Sequence, residues 1–197
     1  MNEQDEDDQE GGYSVPAVQL KTARLVLRTP GPGDARAIAE QANNRRVAEQ
    51  TRRMPHPFSR YDAEEWIGKV TGGTLPVFLV TRARDGVVLG AAGCGHMDEA
   101  DVEVGYWIGE AFWGQGFATE AVQAVIDHAF DLCPLERLYG RCRVANAASR
   151  RVLVKCGFQL IGMGMCDSQV LKGLVPVEEF VLERSVWESL KRWGKAS

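Results

Sequence analysis

Two glycines, Gly114 and Gly116, stand between a run that alternates and a run that repeats every three or four residues. Val102, Val104, Tyr106 and Ile108 alternate with Glu103, Gly105 and Trp107, which is the period of a strand. Ala118, Ala121, Val122, Val125, Ile126, Ala129 and Phe130 recur at helical spacing. Strand, glycine turn and helix in that order are a place to bind an anion, with a purely structural glycine turn as the alternative. The first amides of a helix have no internal acceptors, and they point with the positive end of the dipole into the turn. Glycine opens dihedrals closed to other residues and lets a ligand approach without meeting a Cβ. The chemistry such a turn serves is the holding of a diphosphate. A Walker A loop would need Lys and then Ser or Thr where Phe117 and Ala118 stand. A dinucleotide fingerprint would need a third small residue at Thr119 and an acid where the next strand carries Arg141, Cys142 and Arg143.

A second segment, VANAASRRVLVKCGF at 144–158, complements the first. Asn146 and Ser149 open a short helix, where both residue types cap free amides; Ser149 reads equally as a cap or as a catalytic hydroxyl. Arg150, Arg151 and Lys155 share that helix, with Arg141 and Arg143 just upstream. They form either a solvated basic face or a set of cations for phosphates, whose geometry suits the arginine fork. Gly157 is a natural C-cap. With no basic run elsewhere and no aromatic stacking motif, nucleic acid is not an expected partner.

WGQGFATEA at 113–121 closely resembles the acyl-CoA signature of the GCN5-related N-acetyltransferase (GNAT) family, Gln/Arg-x-x-Gly-x-Gly/Ala. Gly116 and Ala118 match its fourth and sixth positions, and Trp113 replaces the first. GYWI before the turn, TARLVLRT at 22–29 and NAASRRVLVKCGF are similar to the ribosomal-protein-type (RimJ/RimL-like) branch, so the resemblance runs from about residue 20 to 187. It implies an acetyl-CoA-dependent N-acetyltransferase with the pyrophosphate on Gln115, Gly116, Phe117, Ala118 and Thr119. The pantetheine arm would pair with the backbone at Ile108 and Gly109. Asn146 would bond that arm, and Arg151 would meet the cofactor's phosphates. The implied fold is α+β: a mostly antiparallel sheet of six to seven strands, flanked by helices, with one parallel strand–helix–strand crossover. In such folds the two parallel strands splay, and the cofactor arm enters the split.

The reaction implied is attack of an amine on a thioester, with a thiolate leaving. At pH 7 a lysine-like amine of pKa about 10.4 needs roughly 4.6 kcal/mol to lose its proton, and an α-amine near 8 about 1.4 kcal/mol. A base therefore helps. Glu103, on the strand beside the cleft, is the candidate, acting directly or through water; Glu110, Asp101 and His96 are rivals that spacing does not separate. Many members of the family place a Tyr on the helix after the Asn to protonate the thiolate, and here that position is Leu153. In the RimJ/RimL-like branch a serine at the place of Ser149 is implied to bond the thiol instead. The acceptor implied is the α-amine of a protein or peptide, with a small amine as the alternative. No residue sits in a nucleophile elbow, so direct attack in a ternary complex is expected. A non-catalytic acyl-CoA-binding protein is the other reading, motivated by the missing Tyr.

The elements that must hold these residues follow from punctuation and period. A strand is expected over 24–29, a helix from Asp34, a helical stretch at 44–50 and a helix at 60–71. Strands at 76–83 and 87–97 flank an Asp85-Gly86 turn, and strands at 136–144, 158–165 and 177–186 complete the sheet. The 197 residues, 45% hydrophobic, suffice for one core, expected over 17–197. Residues 1–10 hold six of the 27 acids and none of the bases, so 1–16 reads as a disordered acidic leader and the remainder as slightly basic. No apolar run has the length of a membrane span and no signal peptide is evident. Five cysteines without a close pair read as reduced thiols in a cytoplasmic protein, and Cys94 with His96 is too little for a metal. A monomer or homodimer is expected, with Trp187 and Trp193 as core, interface or frayed end.

Overall fold

The computed structural model describes residues 18–97 and 101–195; the expected acidic leader at 1–16 lies outside the described residues. The strands are β1 (Gln19–Lys21), β2 (Leu25–Arg28), β3 (Val77–Arg82), β4 (Val88–His96), β5 (Val102–Ile108), β6 (Arg137–Arg143), β7 (Gln159–Ser168) and β8 (Gly173–Glu183). Interleaved with them are α1 (Ala35–Ala42), α2 (Arg45–Ala48), α3 (Arg60–Thr71), α4 (Phe117–Leu132), α5 (Ala147–Lys155) and α6 (Arg184–Lys195). One sheet runs β1-β2-β3-β4-β5-β6-β8-β7. Every neighbouring pair is antiparallel except β5 and β6, which flank α4 in sequence. The α+β sheet with one parallel crossover is therefore as expected, with eight strands rather than six to seven.

The differences have local causes. β1 is three residues long, too short for alternation to register. The last strand ends at Glu183, not 186, because the next residues form an amphipathic helix. Arg184 fixes that junction: its guanidinium donates to the carbonyls of Phe130, Cys133 and Leu135 at 2.7–3.0 Å. It thereby satisfies acceptors left free where α4 ends. Trp187 is buried, stacks on Phe130 and donates its indole N–H to Asp127, which makes it core; Trp193 is exposed.

Strand alternation sorts the apolar residues onto two faces. Phe78 and Val80 of β3 face a core completed by Ala121, Val122, Val125, Ile126 and Phe130 of α4. Leu79, between them, faces the other way onto Ile38 of α1 and Ile67 of α3. Helices thus cover both sides of the sheet. No helix among the described residues is long and apolar enough to cross a membrane.

The feature that makes a site is the β5–β6 seam. β4 and β5 are paired from Gly90–Ile108 to His96–Val102, and β6 and β8 are paired along all of β6. Between β5 and β6 there is one paired position, Glu103 with Tyr139. Each strand stays with its outer partner, so the seam opens toward the ends of β5 and β6. The N-termini of α4 and α5 follow those two ends.

Candidate active site

A cleft of about 1230 Å³ occupies the open seam and takes in the α4 turn, the start of α5 and the loop after α2. One end of it is built from the turn. Gly114 and Gly116 have φ of +75° and +81°, the left-handed region where a side chain is strained. Gly116 is the N-cap of α4, and no side chain caps the helix. The Glu120 amide closes the first turn on the Gly116 carbonyl. The amides of Gln115, Gly116, Phe117, Ala118 and Thr119 have no hydrogen-bond partner among the described residues. Phe117 contributes its amide there and its buried ring to the core.

Arg24 braces this turn, and the sequence pattern gave no sign of it. Its Nη1 donates to the Gln115 carbonyl at 2.9 Å and its Nε to Glu120 at 2.7 Å, with the guanidinium over the Phe117 ring. Thr22 and the Arg24 amide donate to the same carboxylate. The carboxylate that would otherwise repel an anion from the first turn of α4 is thus held by three donors.

At the end of β5, the structure separates the two backbone positions expected to meet a cofactor arm. The Gly109 amide donates to the Leu89 carbonyl at 2.7 Å, toward β4, and its carbonyl accepts from Phe112. Backbone groups alternate along a strand, so those of Ile108 and Tyr106 face the open seam. The Ile108 carbonyl there accepts the Trp113 indole N–H at 2.6 Å. The residue that departs from the acyl-CoA signature thus ties the turn to the strand. What remains on the seam is the edge of Tyr106 and the Ile108 amide.

Across the seam, the α5 start resolves the roles left open for Asn146 and Ser149. Asn146 is the cap: its Oδ1 accepts from the Ser149 amide at 3.0 Å. Ser149 is not. Its hydroxyl lies 2.8 Å from the Tyr106 hydroxyl, which is also 3.2 Å from the Ser149 carbonyl. Tyr106 reads in the sequence as one more member of an apolar strand face. The missed signal was chemical: a half-buried Tyr hydroxyl against a core needs a partner. Burial pushes that hydroxyl well above the usual tyrosine range, so it keeps its proton.

The basic residues divide by partner. Arg150 pairs with Glu178 at 3.2 Å, and Arg143 donates to the Glu49 carbonyl. Arg151 and Lys155, one helical turn apart, line the cleft and make no ion pair among the described residues. Glu103 is held by Arg141, whose Nε and Nη2 reach its two oxygens at 3.1 and 2.7 Å. Both groups are half-buried at the closed end of the seam. Among the rivals, Glu110 is bound by Asn44 and Arg46, and His96 is exposed along the cleft.

These features match known proteins. The model of the acetyltransferase (GNAT) domain matches residues 24–159. The N-acetyltransferase p20 of Bacillus licheniformis, whose activity is uncharacterized, is 36% identical over 169 residues, covering 83% of this chain and 94% of that protein. Two solved structures share the fold. The ribosomal-protein-S5-alanine acetyltransferase of Vibrio fischeri has a TM-score of 0.73 at 19% identity, covering 86% of this chain and 98% of that one. The spermidine N-acetyltransferase of Vibrio cholerae, in complex with CoA and spermine, has a TM-score of 0.71 at 22% identity, covering 85% and 99%. Both likenesses speak for the fold alone. With the domain model spanning most of its length and a relative more than a third identical nearly end to end, the chain belongs to the GNAT family and is an N-acetyltransferase.

Proposed function

We propose that the protein moves the acetyl group of acetyl-CoA to a primary amine, by direct attack with both substrates bound, and that the amine is the α-amine of a protein or peptide. The observation that carries this reading is the open β5–β6 seam, with unpartnered α4 amides at one lip and the Tyr106–Ser149 hydroxyl pair across it. The turn fits a diphosphate: its donors are free, Glu120 is neutralised by Arg24, and Gly116 presents no side chain. Gln115 to Thr119 would hold the diphosphate through their amides, with Arg151 and Lys155 as cations. The Tyr106 and Ile108 edge and the Asn146 amide would hold the arm. Acetyl-CoA supplies an activated acyl group whose thiolate leaves as the amine nitrogen bonds to the carbonyl carbon.

The residues then have distinct tasks. The Tyr106 and Ser149 hydroxyls share one hydrogen bond; when Tyr106 donates it, the Ser149 proton turns into the seam, where it would meet charge developing on the leaving sulfur. Leu153 is buried in the core, so no acid comes from that position. Glu103, bonded on both oxygens, acts on the amine through water more readily than by direct contact. A restrained base suits an α-amine, which needs about 1.4 kcal/mol to deprotonate at pH 7, better than a lysine-like amine needing about 4.6 kcal/mol. The test is calorimetric titration with acetyl-CoA, CoA and ADP, followed by thiol release with peptide amines. Binding that requires the pantetheine arm, with release that depends on the peptide amine, supports the reading. Equal affinity for ADP and acetyl-CoA, or no release with any amine, overturns it.

A further inference from the structure

Beyond the hydroxyl pair, the cleft continues into a recess of about 440 Å³ that the catalytic reading leaves unused. Arg52, Arg53, Arg141, Cys166, Asp167 and Gln169 line it. It lies at the Glu103 end of β5, roughly 17 Å along the strand from Ile108 at about 3.4 Å per residue. That places it opposite the α4 turn, on the side from which a second substrate would enter. Arg52 and Arg53 lie in the loop between α2 and α3, and the Gln169 amide donates to the Arg52 carbonyl at 3.1 Å. This bond pins the loop to the tip of the β7–β8 hairpin, so the recess has two walls from distant parts of the chain.

Among the described residues its lining carries three arginines and one carboxylate. Glu103 is used by Arg141. Neither Arg52 nor Arg53 makes a side-chain hydrogen bond or ion pair among the described residues. Arg52 is half-buried, and burial together with the like charges of Arg53 and Arg141 pulls its pKa down, against a smaller upward pull from Glu103 and Cys166. Asp167, on the rim and exposed, is the remaining carboxylate of the recess. A half-buried guanidinium among like charges is unfavourable until an anion joins it, and the arginine fork fits a carboxylate on two oxygens.

Resting on the N-acetyltransferase reading above, we infer that the recess is an acceptor subsite for a carboxylate, and that the enzyme selects amines bearing an acidic group close to the reacting nitrogen. An N-terminal peptide with Asp or Glu in its first residues has this chemistry. A polyamine has the opposite one and is rejected by Arg52, Arg53 and Arg141.

The experiment compares kcat/KM for C-terminally amidated peptides that differ only at the second residue, Glu, Gln or Lys, with free glutamate and spermidine as further arms. The Glu peptide is expected to exceed the Gln peptide by about tenfold and the Lys peptide by more, as one charge-assisted contact would give. The preference should shrink with added salt. In Arg52→Gln and Arg53→Gln the ratio of Glu to Gln peptide falls toward one. Circular dichroism and acetyl-CoA affinity report separately on folding and on the cofactor end. Free glutamate outpacing the peptides would still support the carboxylate subsite and assign a smaller acceptor. Preference for the Lys peptide or spermidine overturns the inference, as does a Glu preference that survives both substitutions. Transfer to all peptides without regard to charge overturns the subsite alone, whereas no transfer to any amine removes the N-acetyltransferase reading beneath it.

Discussion

Replacing Tyr106 with Phe removes one hydroxyl and leaves the ring, so it tests whether the pair with Ser149 works as a unit. The structure sets the scale. The lost bond, 2.8 Å long and half-buried, contributes about 0.5–1.5 kcal/mol to stability. In a chain of this size that is a fall in Tm of roughly 2–4 °C per kcal/mol. For turnover the argument is rotational. The hydrogen bond between the two hydroxyls restricts the Ser149 proton, and without it the hydroxyl samples about three staggered wells. That costs a factor of about three, and the lost polarisation brings the expected fall in kcat to roughly three- to tenfold. Ser149→Ala, removing the donor itself, is expected to cost on the order of 10²-fold in kcat. The double variant should be no slower than Ser149→Ala. The assay is steady-state thiol release at saturating acetyl-CoA across pH 6.5–9, with Tm in parallel. If the two effects multiply, or if Tyr106→Phe lowers Tm and leaves kcat unchanged, the pair is structural and the proposed donation is wrong.

Other expectations follow from particular contacts. Gly116→Val forces a branched side chain into φ +81° with its Cβ about 3.3 Å from Arg24 Nη2, so acetyl-CoA affinity should fall tenfold or more, measured by calorimetry. Wild-type affinity would remove the turn from the binding site. Arg28 grips both oxygens of Asp34 at 2.6 and 2.8 Å, and with the Gly31 amide it holds that carboxyl below the usual range. A depressed folded pKa means that the stabilisation is full above the unfolded value of about 3.9 and is lost as pH falls through the folded value. Asp34→Asn should therefore cost about 1–2 kcal/mol near pH 7, with the difference narrowing as the pH falls below about 3.9, followed by urea melts at pH 7 and pH 3. A constant difference at both would refute the linkage. Burial pushes the Cys94 and Cys156 thiols up to about 12 and Cys142 to about 11. Ellman's reagent on the folded protein at pH 8 should thus react quickly with Cys133 and Cys166 at most, against five thiols after denaturation. Rapid labelling of Cys94 would contradict its burial.

The parts of this protein legible in the sequence are those whose causes lie within a few residues of one another. The alternation from Val102 to Ile108, the glycines at 114 and 116 and the helical period after them name a strand, a left-handed turn and a helix with free amides. Asn146 as a cap and Gly157 at φ +92° are written in the same local terms. The family resemblance rests on those stretches, and with them comes the one parallel crossover. What the order of residues did not disclose is which side chains meet across the seam. Tyr106 and Ser149 are 43 positions apart, Glu103 and Arg141 are 38, and Arg24 reaches Glu120 over 96. Each of these pairs changes a role: Ser149 from cap to partner of a half-buried hydroxyl, Glu103 from a free base to one arm of a fork, and Arg24 from a strand residue to the brace of the turn. Periodicity reports which face a residue takes, whereas partnership depends on how strands are ordered and where their seam opens. In this chain that was decided by β5 keeping β4 and β6 keeping β8, so that the gap between them became the candidate site.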